Sequence, residues 1–363
     1  MNMDDGLTSI IAEQADRQFR DLLTRDALDA ASAGRWQQGL WDSVEGSGLA
    51  LALVPEDQGG VGLEAKDAFG LVRLAGYRAL PMPLADTLIA RALWSTAGGD
   101  IDALMTRPVL LASQPSGTPF SLQKCDSGWQ INGKTAPLRY VDAGADLLLQ
   151  AQSDDGRMFL VLINADGLTR ERRAGPALEV QWMVRLQGTE VPGERCLPWH
   201  AGDPLAMMAH GALVRSLEMV GAMQRALEMG LQYAAERSQF GKPIGRFAPV
   251  QDMLVEAAAE TSASVAAVSL AVQHWSAQIN EDAIFCIAAA KARCGEAAGK
   301  VSALIHQVHG AIGFTQEHLL HQSTRRLWGW RDEFGSEAFW TRWLGERICA
   351  SPGQSLWARI ASL

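Results

Sequence analysis

Apolar residues recur at three- and four-residue spacing from Leu7 to about Gly99, which predicts a block of amphipathic helices. The pattern breaks at Ala33-Gly34 and again at Val54–Glu64 (VPEDQGGVGLE), where Pro55, Gly59, Gly60 and Gly62 cannot sit together inside a helix and read as a connector. After a second connector, Ser95 to Asp102, the period changes. Trp129 to Asn132 alternates, Leu147 to Gln152 and Met158 to Ile163 are short apolar runs of strand length, and Ser153-Asp154-Asp155-Gly156 between the last two predicts a hairpin turn. Strand-like segments continue from Leu178 to Pro192, so Pro108 to Trp199 reads as a small β domain inserted between helical blocks. From Leu205 onward the helical period returns over Leu205–Arg237, Pro249 to about Trp275, Asp282 to about His309 and Gly335 to about Cys349. That set suits an antiparallel four-helix bundle. The expected division is a helical domain at 1–106, a β domain at 107–200 and a helical bundle at 201–363.

Composition narrows the picture. The 363 residues are 48% hydrophobic and 20% charged, enough for a large core in two or three domains. A net charge of -9 argues against a nucleic-acid or anionic-membrane surface, since both rest on clustered Lys and Arg. The five cysteines are scattered without CxxC spacing, which supports neither a disulfide framework nor zinc and suggests a reducing cytoplasm. The acidic start MNMDDGLTSI lacks an apolar segment, and no membrane span is expected.

Chemistry concentrates in Glu236–Asp252, ERSQFGKPIGRFAPVQD. Arg237 stands where a long helix ends, Gly241, Pro243 and Gly245 break the helix, and Pro249 with Gln251 starts the next. A helical hairpin follows whose loop carries Arg237, Gln239 and Phe240. A guanidinium fork suits phosphate oxygens, a Phe face suits a planar ring, and glycine permits close backbone approach. Those are the needs of a dinucleotide. Taken alone, the same residues also fit a duller role, with Arg237 satisfying the last helical carbonyls and Phe240 filling the core.

The motif resembles the flavin-binding signature of the acyl-CoA dehydrogenase family, and the chain is similar to that family from about residue 50 to residue 340, as a short, divergent branch. VPEDQGGVGLE and Ala79–Ala90 (ALPMPLADTLIA) resemble its N-terminal signature and the segment after it. Gln307–His318 (QVHGAIGFTQEH) resembles a second flavin-contacting stretch, in which Gln307, Gly310 and Ala311 match positions that reach the flavin nucleotide across a subunit interface. Ala311 replaces a common glycine. The main branch's ring-contacting stretches are absent, their places taken by Ser113–Phe120 (SQPSGTPF) and Ala136–Gly144 (APLRYVDAG); Ser113, Arg139 and Tyr140 are candidates for ring contact there, with plain loop and strand residues as the competing reading. His306, His309, His318 and His321 form no recognisable ligand set, and no metal is expected.

The resemblance implies a mainly α fold with an inserted β domain: an N-terminal helical domain, a small β-barrel-like middle domain and a C-terminal four-helix bundle. It implies FAD as cofactor, bound through Arg237, Gln239, Phe240, Gln251, Gln307, Gly310 and Ala311. It also implies α,β-dehydrogenation of an acyl-CoA thioester and an electron-transferring flavoprotein as acceptor. In the family a glutamate in a tyrosine-glutamate-glycine sequence removes the α proton. In Thr324–Trp340 (TRRLWGWRDEFGSEAFW) an ungapped comparison puts Phe334 at that glutamate, and one deleted residue puts Glu333 there. The chemistry needs a carboxylate, so Glu333 is the candidate base and Asp332 the second choice. The competing reading of Arg331-Asp332-Glu333 is a solvated turn before a helix. The family's other base position is Gly211 here, which closes that route. A homodimer or homotetramer is implied because Arg237 and Phe240 would reach a neighbour's flavin, with a hetero-oligomer as rival. Three alternatives stay open: a base-less subunit that completes a partner's flavin site, another flavin reaction such as a monooxygenase or nitroalkane oxidation, and a non-enzymatic helical scaffold.

Overall fold

The computed structural model describes residues 3–105, 107–126, 128–175, 179–200, 203–350 and 357–358. Helices come first: α1 (Met3–Leu22), α2 (Arg25–Ser32), α3 (Gln38–Gly46), α4 (Ala65–Tyr77) and α5 (Leu84–Thr96). The glycine-rich connector before α4 is a tight turn, in which a Cβ on Gly60 would lie 2.0 Å from the Val54 carbonyl oxygen. Only glycine fits that approach. Helix α5 is buried along nearly its whole length, and even its Arg91 is fully enclosed, donating to the Leu104 carbonyl and pairing with Glu45 at 2.7 Å.

Nine strands follow: β1 (Val109–Ala112), β2 (Phe120–Cys125), β3 (Gly128–Lys134), β4 (Leu138–Arg139), β5 (Asp146–Ser153), β6 (Met158–Asn164), β7 (Thr169–Ala174), β8 (Val180–Val191) and β9 (Cys196–Pro198). The expected strand start at Leu178 lies outside the described residues. The order is β4-β8-β3-β2-β5-β6-β9, with β1 on β5 and β7 on β8. This corrects the barrel-like expectation. Strands β1 and β2 occupy successive stretches of one edge of β5, and β3 and β4 do the same on β8 with β7 on its other edge, so the mixed sheet ends on β7 and β9, which are not paired with each other. Along β5 and β6 alternate residues enter different cores: Leu148, Leu160 and Leu162 pack with the helices, while Leu147, Leu149 and Val161 pack on the other face. Both faces are covered, which is why these strands read as apolar runs rather than alternating ones.

The last block is α6 (Ala206–Glu236), the two-residue strands β10 (Ser238–Gln239) and β11 (Lys242–Pro243), then α7 (Ala248–Gln273), α8 (Glu281–His309), α9 (Leu320–Asp332) and α10 (Glu337–Ala350). Five long helices thus stand among the described residues where four were expected. Helix α9 escaped because its buried face uses Gln322, Ser323, Thr324 and Arg326, which break the apolar period. Helix α10 also starts two residues later than expected, since Gly335 lies at φ +90° in the connection. Helix α7 is long and apolar enough to cross a membrane by composition alone, yet it packs along α8 and carries Glu260 in ion pairs with Arg293 and Lys300. Helices α4 and α6 touch through backbone: a Cβ on Gly221 would lie 2.0 Å from the Arg73 carbonyl oxygen, and one on Gly76 2.2 Å from that of Glu218.

Candidate functional site

Two concavities collect the residues singled out from the sequence. The first lies at the α6–α7 loop. Helix α6 stops at Glu236, and Arg237 leaves it in an extended conformation while its N–H still bonds to the Tyr233 carbonyl. Strands β10 and β11 then form a hairpin whose tip, Phe240 at φ +50° and Gly241 at φ +79°, has the left-handed twist that favours tight hairpins. Phe240 is 92% exposed, and the Arg237 guanidinium has no ion-pair or hydrogen-bond partner among the described residues. Neither residue plays the duller role open to it. Opposite the hairpin, α8 ends at Gly310 (φ +63°), with open space where a Cβ would be. Arg237, Gln239, Phe240, Gln307, Gly310 and Ala311 together line an open cavity of 670 Å³. Gln251 does not line it and instead donates to the Gly245 carbonyl at 3.0 Å, bracing the loop.

The second concavity, 550 Å³, lies between the sheet, α6 and the α9–α10 connection. Ser113, Arg139 and Tyr140 line it, as do Asp332 and Glu333, so stretches far apart in sequence converge on one space. Asp332 is exposed at its edge. Glu333 is not the solvated turn residue of the competing reading. Its carboxylate is 10% exposed and held from both sides, by Arg139 Nε at 3.0 Å and Arg215 Nε at 2.5 Å. Arg215 also pairs with Asp86 at 2.9 Å and Glu218 at 2.8 Å, and Arg139 with Glu179 at 3.1 Å. Burial alone would raise the Glu333 pKa, but the Arg139 and Arg215 guanidiniums outweigh it and hold the carboxyl below its usual value. Glu218 goes the other way: burial dominates its pairing with Arg215 and pushes it up to about 7.

The ring of Phe334, at φ +53°, packs against Gly211 of α6, where an added Cβ would lie 2.2 Å from it. The connection carrying it is pinned from behind. Lys291 of α8, wholly buried, donates at 2.7 Å to the carbonyls of both Arg331 and Gly335. Sequence reasoning did not pick out Arg215, Glu218, Asp86 or Lys291. Their only signal was charge inside otherwise apolar helical runs, which is rare unless the charge is paired.

Residues 204–348 match the C-terminal domain family of the acyl-CoA dehydrogenases. The chain is 28% identical over 306 residues to acyl-CoA dehydrogenase IpdE2 of Mycobacterium tuberculosis, covering 82% of this chain and 83% of that one. Its fold superimposes on the ChsE4-ChsE5 complex from Mycobacterium tuberculosis with a TM-score of 0.85 at 19% identity, over 97% of this chain and 99% of that one. It superimposes on PigA with FAD and proline with a TM-score of 0.80 at 20% identity, over 96% and 98%. Residues 204–348 thus carry the C-terminal domain of the acyl-CoA dehydrogenase family, and most of the chain is similar to its members.

Members of this family are FAD flavoproteins. The first concavity fits that cofactor on its own chemistry, with a guanidinium free of carboxylates, an uncovered aromatic face and an open glycine. Arg237 would hold phosphate oxygens, Phe240 would cover a ring, and Gln307 offers both donor and acceptor. Among the described residues no group of three or more His, Cys, Asp or Glu is placed to hold a metal ion. His306 bonds to Thr324 at 2.9 Å, and His309 lies beside the Ile305 carbonyl at 2.8 Å.

Proposed function

We propose that this chain is a subunit of an FAD-dependent acyl-CoA dehydrogenase that completes a flavin site on a partner chain, the partner carrying the catalytic base. The observation behind this reading is the contact between Phe334 and Gly211. These are the family's two base positions in the ungapped comparison. Phe334 lines the 550 Å³ cavity and Gly211 lies against its ring, so the two positions are neighbours, and neither bears a carboxylate. Glu333 stands one residue away with both oxygens engaged by guanidiniums, an environment that favours its charged form and weakens it as a base.

In this reading Arg237 and Gln307 bind and orient the dinucleotide and Phe240 shields it from water, while the partner supplies the carboxylate that takes the α proton. FAD, when bound, accepts the hydride from the β carbon, and an electron-transferring flavoprotein is the acceptor the family implies. The assembly is then a hetero-oligomer rather than the homodimer or homotetramer of the simpler expectation.

A second reading keeps one observation on its side, because Glu333 and Asp332 both line the cavity. There the chain is a complete dehydrogenase with Glu333, or failing it Asp332, as base. The experiment that separates the two is flavin bleaching by a panel of acyl-CoA thioesters, with this chain alone and with a base-bearing family partner. The subunit reading expects no bleaching alone, bleaching with the partner, and less than about a threefold change in that rate on Glu333→Gln. Loss of bleaching in Glu333→Gln with flavin still bound overturns it in favour of the complete enzyme, and the same result in Asp332→Asn assigns the base to Asp332.

A further inference from the structure

A third concavity, 1080 Å³, is larger than either site described above and shares no residue with them. It is an open groove between α4, α6 and α7. Its wall is apolar: Leu74 and Tyr77 of α4 and Val265 of α7 stand half-buried over the enclosed Val220 and Val268. Trp275, edge-on to Phe69 at 4.9 Å, marks the end of the groove nearest the α7–α8 connection. Along α7 the wall runs from Val265 to Gln273, about 12 Å of helix. Glu64, Asp67 and Glu228 outnumber Lys66 and Arg73 among the charged lining residues, so the rim is slightly acidic.

The chain itself contains a segment of matching length and character. Helix α10 ends at Ala350 with Arg347 Nε 3.6 Å from a carboxylate oxygen of Glu281, the first residue of α8. Glu281 and Trp275 belong to the same short connection, so α10 ends at the end of the bundle where Trp275 stands. Residues 351–363 follow, SPGQSLWARIASL, of which the structure describes Trp357 and Ala358. Pro352 and Gly353 interrupt the helical pattern, and the spacer 351–355 reaches roughly 17 Å when extended. In 356–363, Leu356, Trp357, Ile360 and Leu363 fall on one helical stripe, and eight residues of helix again span about 12 Å. Trp357 is helical and 76% exposed, a large apolar surface left in water. Arg359 carries the only charged side chain in 351–363, opposite in sign to the groove's rim.

We propose that residues 356–363 dock as a helix into the α4–α6–α7 groove of their own chain, apolar stripe against the wall and Arg359 at the acidic rim, and so close this face to partners. Length, apolar spacing and charge all match within one chain, and the short spacer makes the encounter intramolecular, which favours it over the same segment of a second copy.

The test is hydrogen exchange on the full chain in its assembled state, wild type against the double variant Trp357→Asp, Ile360→Asp. Segments 64–77 and 265–275 should exchange at least about fivefold faster in the double variant, with 320–332 unchanged. Arg359→Glu, which keeps the stripe, should give a smaller rise in the same two segments. A photoreactive benzoylphenylalanine in place of Trp357, in assemblies mixed from light and heavy isotope chains, identifies the chain that receives the segment. Links to 64–77 or 265–275 carrying the same isotope label are the expected result. Links between light and heavy chains overturn the proposal in favour of a second copy's segment. Equal exchange in wild type and double variant, or links only to other parts of the molecule, overturns it in favour of a groove that this segment does not fill.

Discussion

Glu333 shows how much one side chain can hold in place. Its carboxylate sits between Arg139 and Arg215, and removing it leaves two buried guanidiniums short of a counter-charge. Breaking a buried pair from one side costs about 3–5 kcal/mol, so Glu333→Gln should lower stability by roughly the lower end of that range, read from denaturant unfolding. The pH dependence follows from the direction of its shift. Its folded pKa lies below the ordinary value of 4.5, so its contribution is fully present above about pH 4.5 and disappears as pH falls through the folded value. Acid melts should therefore show the wild type losing its advantage over Glu333→Gln below pH 4.5. At this scale the sequence was legible wherever a motif places chemistry on a loop, as with Arg237 and Phe240. It was opaque for Arg215, whose partners Asp86 and Glu333 come from α5 and the α9–α10 connection and meet only after folding, and for Glu218, which pairs with Arg215.

Among the elements, α4 and α6 cross in close backbone contact. Gly76 and Gly221 each face the other helix's carbonyls at distances no Cβ tolerates. Gly221→Ala must push the helices apart, and by analogy with overpacked cores it should cost about 1–3 kcal/mol. A Tm equal to wild type would show that the crossing is softer than its geometry. Helix positions in the bundle could be read from apolar spacing for α6, α7 and α8, where small and aliphatic residues repeat on the packed side. The same reading failed for α9, whose enclosed face is polar and satisfied by partners such as His306 for Thr324. Periodicity detects burial only when the buried residues are apolar. The openness of the sheet was equally hidden, because β1 and β2 share β5 through a parallel register that no local pattern announces.

For the whole molecule, the uncovered side of the 670 Å³ cavity sets the expectation of assembly. Arg237→Ala should lower flavin occupancy of the assembled protein, since a charge-assisted phosphate contact is worth about 1.5–3 kcal/mol; occupancy is read from the visible spectrum against total protein. Light scattering of the flavin-loaded material should show more than one chain per particle, and a flavin-loaded monomer would exclude both homo- and hetero-oligomeric readings. The hairpin tip at Phe240 and Gly241 carries a kinetic consequence. Its left-handed turn is closed by its own strand pairing and braced by Gln251 before any partner arrives. The conformational entropy of that loop is lost on folding rather than on docking. Encounter with a partner then requires orientation but no loop folding, so the association rate should fall in the range of rigid-body docking and change little when the solvent is made to favour loop order.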